Sequence, residues 1–408
     1  MSVTDLRDLF EELAATPGPP TRSTAGATYA VGRQRWRRRR AVTAATATIL
    51  AVTVAGVAAA TIALQTRPVA PVAPSGSGRP EPGLLQWAGA ADADHLYLAY
   101  FACRVGPSCP KTRVRIVGSD DGGQTWTQRT PAVDIGEITI LGPGVLVGHG
   151  SAQSNGPTLS ADGGRVWRPL TVTDRPAPAV PPGGGPVCLS LGQAGCELYA
   201  VDPAAGTASR LAAPPTVVVP DQGHVTTVGG AIWLGGLGDG WPAVAVSRDG
   251  GRHWSTVNLT DTGTRRYEAN TSVEVTTVDG YSAYVVATDV TGKPRKVFRG
   301  TIGDGFEPVG GAEKVPYSDH GGPASFTLAD GTHVIQQTLS DRPGRDRVRF
   351  WAGDGLAYRP IELDGLPDTV YPIRRTPGGF YYTRTYGDQR GQLYGSADGR
   401  HWTRINQP

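Results

Sequence analysis

The chain has 408 residues, 39% of them hydrophobic, and glycine (56) and proline (34) together make up just over a fifth. That composition stops short of low complexity and allows a substantial buried core. The net charge of +3 hides an asymmetry: residues 1–40 hold eight arginines against Asp5, Asp8, Glu11 and Glu12, so the remainder is close to neutral and carries no basic excess for nucleic acid.

Residues 2–15 predict a short amphipathic helix, because Leu6, Leu9, Phe10 and Leu13 fall at i, i+3, i+4 and i+7 with acids on the other face. The stub resembles the N-termini of actinobacterial single-pass proteins, without the zinc-binding His and Cys of their anti-sigma factors. An Arg-rich block, Arg33 to Arg40, abuts residues 41–64, which contain no charge. At 1.5 Å per residue, that run makes a helix of about 36 Å, enough to span a bilayer core of about 30 Å. The positive-inside rule then predicts a cytoplasmic N-terminus and an exported C-terminal part. A cleaved signal is the competing reading, but a signal's apolar region is shorter and its basic region is not 40 residues long. Residues 65–83 form a Pro/Gly/Ser linker, and ordered sequence is expected from Leu84.

The four cysteines fall in two close pairs, Cys103 with Cys109 and Cys188 with Cys196. An even count in an exported domain predicts disulfides, and neither pair has metal-ligand spacing or a neighbouring histidine.

From Leu84 onward one pattern recurs. Ser119, Asp121, Gly123 and Trp126 are followed at the same spacing by Ser160, Asp162, Gly164 and Trp167, and by Ser247, Asp249, Gly251 and Trp254. A form one residue shorter, with Ser396, Asp398 and Trp402, closes the chain. Degenerate Asp…Gly turns at Asp202, Asp304 and Asp354 fill the gaps, so that the turn aspartates stand 40 to 55 residues apart. Such a turn needs glycine for its positive φ, aspartate to accept turn N–H groups, and serine to tie the limbs. Segments between turns alternate as strands, for instance residues 95–100, 113–117, 282–287 and 379–383. Each turn is expected to join the third and fourth strands of a four-stranded unit. The fold class is therefore all-β, a seven-bladed β-propeller over residues 84–408, with six or eight blades as the bounds.

The S-x-D-x-G-x-x-W turns resemble the Asp boxes (BNR repeats) of the sialidase and sortilin-like superfamily. That resemblance implies that the boxes are structural and that function resides in loops at the channel mouth. An exo-sialidase would need an arginine in an F/Y-R-I-P motif ahead of the first box, and residues 84–95 contain no arginine. Tyr371, Tyr381, Tyr382 and Tyr386, with Arg374, Arg375 and Arg384, are the residues left to supply such a site, and they read as strand-face positions. Asp92, Asp94 and His95 read as a polar turn between the first two strands. We therefore expect no catalytic residue, no metal and no cofactor. The expected role is a membrane-anchored, extracytoplasmic binding or scaffold module for a protein, peptide or envelope glycan. The alternatives are a sialidase-like glycoside hydrolase, or a transmembrane sensor reporting through the N-terminal helix.

Overall fold

The computed structural model describes residues 84–101, 113–150, 156–189, 196–219, 225–260, 272–288, 294–316, 324–342, 345–386 and 391–408. The expected helices at 2–15 and 41–64, the linker, and Cys103 with Cys109 lie outside these. Among the described residues no helix is long and apolar enough to cross a membrane, and a single 3-10 turn, Ala312–Lys314, is the one helical element.

Seven four-stranded sheets follow one another. Blade 1 comprises Leu85–Ala90, Leu96–Phe101, Arg113–Ser119 and Thr127–Asp134, paired in that order from the inside out. Blades 2, 4, 5, 6 and 7 repeat the same sequential order. Their innermost strands are Glu137–Gly142, Val225–Val228, Val273–Thr276, Ala324–Thr327 and Arg374–Arg375.

Strand composition follows from each sheet being covered on both faces by its neighbours. In Trp241–Ser247 of blade 4, Ala243 and Ala245 join the core shared with blade 3, while Val244 and Val246 join the one shared with blade 5. The blade 4–5 core also holds Trp233, which is fully buried and donates its indole N–H to Gly280 O at 3.2 Å. Two-sided burial is why this strand reads as a nearly continuous apolar run.

Six of the seven aspartate turns join the third and fourth strands of a blade, as the spacing predicts. Ser119 Oγ donates to Asp121 Oδ1 at 2.7 Å and accepts from Gly123 N–H at 2.8 Å, and Asp121 accepts Thr125 N–H at 2.8 Å. The turns at Ser160, Ser247 and Ser396 repeat these bonds. The glycine that reaches back to the serine has φ between +82° and +92° in all four, including Gly399 of the shortened turn.

Blade 3 departs from the expectation. Its sheet order is Gly185–Leu189, Glu197–Asp202, Thr207–Leu211 and then Thr171–Ala177, so the Asp202 turn joins the second and third strands. The outer strand precedes the other three in sequence and runs parallel to its partner. It follows closely on the fourth strand of blade 2, Arg168–Pro169, which is two residues long. The chain passes from it directly onto the rim of the next blade, where Thr171 N–H bonds to Gly206 O at 3.1 Å. The inner strand then runs backwards: its first residue, Gly185, lies against Leu141 near the end of the blade 2 inner strand. Elsewhere neighbouring inner strands align end to end, as the Thr276–Thr327 hydroxyl contact at 2.8 Å shows. Cys188 and Cys196 form a disulfide across this reversed hairpin.

Candidate functional site

The inner strands enclose a channel of about 1080 Å³ lined by all seven blades. Its charge is unevenly placed. Arg374, Arg375 and Arg384, all from blade 7, face it together with Glu137 from blade 2 and Glu274 from blade 5.

Glu274 stands in the alternating segment Val273–Thr276, where its neighbours enter the core and its carboxylate is left at the inner edge. Only 17% of the side chain is exposed. It accepts the N–H and hydroxyl of Ser325 at 2.9 and 3.1 Å and faces Arg374 at 3.7 Å, tying blades 5, 6 and 7 together. Burial raises its pKa, and Arg374 and Ser325 oppose that rise. Tyr382 is likewise raised by burial against the pull of Arg374. On the opposite wall His149 bonds Thr139 Oγ1 through Nε2 at 2.9 Å; burial lowers its pKa against the pull of Glu137.

Arg384 donates to Gln86 O at 2.7 Å and to Leu85 O at 3.4 Å, bridging blade 7 to blade 1. Its guanidinium lies 3.8 Å from the centroid of Tyr371, whose edge meets Tyr386. Tyr371 is 41% exposed, an aromatic surface left open at the channel wall. Arg375 reaches the carbonyls of Thr277 and Val278 at 3.5 and 3.4 Å, both long contacts.

The structure thus brings Tyr371, Tyr382, Arg374, Arg375 and Arg384 to the channel, where the sequence suggested strand-face residues. Tyr381 is buried in the core between blades 6 and 7 instead, donating to Thr327 O at 2.7 Å. Asp92, Asp94 and His95 form a turn, in which Asp92 Oδ1 accepts the N–H groups of Asp94 and His95 at 2.9 and 2.8 Å. Of the aspartate turns, Gly250 alone touches the channel wall. Glu274, Ser325, Glu137 and His149 carried no repeating signal; a charge within an apolar alternation (Val-Glu-Val-Thr) was the one available hint.

Sheet order and channel together define a seven-bladed β-propeller. Neither protein-family models nor curated proteins give a match to the sequence. Among solved structures the chain is similar to TolB from Acinetobacter baumannii, at 14% identity and a TM-score of 0.39, covering 78% of this chain and 65% of that one. It is also similar to the β-propeller domain of the trilobed protease from Pyrococcus furiosus, at 8% identity, a TM-score of 0.45, and 80% and 96% coverage. A third likeness is to YCF48 from Cyanidioschyzon merolae, at 16% identity, a TM-score of 0.33, and 80% and 85% coverage. These likenesses concern the fold alone.

Proposed function

We propose that this chain is a membrane-anchored propeller of the Asp-box type, held outside the membrane by residues 41–64, that binds a protein, peptide or envelope glycan without breaking a bond in it. The observation that carries this reading is how the channel charges are spent. Glu274 is held by Ser325 and Arg374, Arg384 by blade 1 carbonyls and Tyr371, and Arg375 by blade 5 carbonyls. Groups fixed in this way hold the inner strands in place and leave a shaped, partly aromatic surface for recognition. The uncharged run beside an arginine block supports the anchor.

Purified protein is expected to leave fluorogenic sialosides and other glycosides intact; turnover that is lost in Glu274→Gln would sink the binding reading. Retention of envelope components should be lost in Tyr371→Ala and kept in Asp162→Asn, whose turn does not line the channel. Membrane fractionation with protease protection checks the anchor and its orientation.

A further inference from the structure

Six of the seven junctions between blades are crossed by the chain itself, as it leaves one sheet for the next. The junction of blades 7 and 1 is not. All four strands of blade 1 come from Leu85–Asp134 and all four of blade 7 from Arg374–Arg404, so no strand is shared across it. Among the described residues, side chains and residues 405–407 bridge this gap.

From these contacts we infer that residues 405–407 are the clasp of an otherwise open ring, and that the ring opens first at this junction. Three groups on the tail make the bridge. Ile405 seats against Gly123 of the first aspartate turn, occupying the space a Cβ there would need, and joins the core made by Leu85, Leu98, Trp126 and Leu393. Asn406 O accepts the Trp126 indole N–H at 2.7 Å. Gln407 binds Gly391 O at 3.0 Å and also hydrogen-bonds Tyr100 of blade 1, whose pKa burial pushes up to about 12. Nearer the channel, Arg384 reaches the carbonyls of Leu85 and Gln86, and Leu85 packs against Gly391. Trp126 therefore differs from Trp167 and Trp402, which turn their N–H groups to carbonyls within their own turns, Gly164 O and Gly399 O. The first turn spends its tryptophan on the tail.

Opening here breaks non-covalent contacts, these and the packing of Phe380 and Tyr382 on blade 1, whereas opening at any other junction also displaces a covalent connection. Local opening concentrates where the fewest constraints oppose it. Since Arg384 is also a channel residue, opening at this place dismantles the channel wall.

The test is amide hydrogen exchange on the full chain and on three variants: a deletion of residues 405–408, Ile405→Ala, and Trp126→Phe, which removes the indole N–H together with part of the ring's packing. Exchange within 85–101 and 391–396 is expected to rise at least about tenfold in the deletion and less in the two substitutions, with 231–247 of blade 4 unchanged. Should the deletion fail to fold, the two substitutions carry the comparison. Equal acceleration in all blades, or none at the 7–1 junction, overturns the inference.

Discussion

Blades 3 and 4 are neighbours of similar size, yet they are built differently. Blade 4 keeps the whole turn motif: Ser247 is buried and holds Gly251 N–H at 2.7 Å, and Trp254 packs into the core shared with blade 3. Blade 3 keeps only Asp202 and Gly206, with Asp202 Oδ1 accepting the N–H groups of Ala204 and Ala205 at 2.9 and 3.0 Å. Such an Asx turn can join any antiparallel pair of strands. In blade 4 the serine and tryptophan tie the turn into the body of the blade, whereas the turns at Asp304 and Asp354 join third and fourth strands without them. Blade 3, which lacks them too, has instead reversed its inner strand and taken its outer strand from upstream.

The largest expected effect lies on the regular side of this contrast. Trp233→Ala should lower stability by about 3–5 kcal/mol, since a fully buried ring is lost from the blade 4–5 core. Urea denaturation followed by far-ultraviolet circular dichroism would measure it. On the irregular side, Cys188→Ser with Cys196→Ser removes a crosslink across eight positions, worth about 2–3 kcal/mol by loop-closure entropy. Its loss should speed hydrogen exchange in 185–202 while leaving 231–247 alone. Ser247→Ala should cost about 1–3 kcal/mol, because Gly251 N–H is left buried and unpaired. Asp202→Ala should cost only about 0.5–1.5 kcal/mol, as the N–H groups of Ala204 and Ala205 that it caps are exposed and water can replace the lost acceptor. Equal costs for these two would erase the distinction between the blades.

The smallest effect is on pH dependence. Asp121 is held at about 2, chiefly by the hydroxyl and N–H of Thr125, and Asp249 is lowered by the N–H and ring of His253. In Asp398 burial works upward, but the bonds from His401 and Arg400 prevail and keep it low. Folded values below the unfolded carboxylate range mean that this stabilisation is complete above about pH 4 and fades as the pH falls through the folded values. Asp249→Asn keeps an acceptor for the turn and should flatten the loss of stability between about pH 4 and 2, seen as a smaller shift in urea midpoint.

The blade number was legible because one aspartate recurs at intervals a four-stranded sheet can fill. Strand positions were legible too: the reading of 282–287 is the strand Ser282–Thr288, and that of 113–117 is Arg113–Ser119. The topology of blade 3 was not, since residues 171–177 look like any exposed strand and nothing local says which sheet they join. The channel residues were hidden for a different reason. Glu274 and Arg374 lie 100 positions apart, and their meeting depends on the ring closing around them. A repeat reports what every blade shares, whereas the channel is lined by what each blade does differently.

The absence, among the described residues, of a strand shared between the first and last blades also bears on how such a chain can change its length. Duplicating or deleting one continuous stretch of 40 to 55 residues adds or removes a complete sheet at either end. In a ring whose closing sheet mixes strands from both termini, the same event would leave a partial sheet. The constraint moves to the tail, because whichever blade comes last must present a counterpart of Ile405 and Asn406 to the tryptophan of the first.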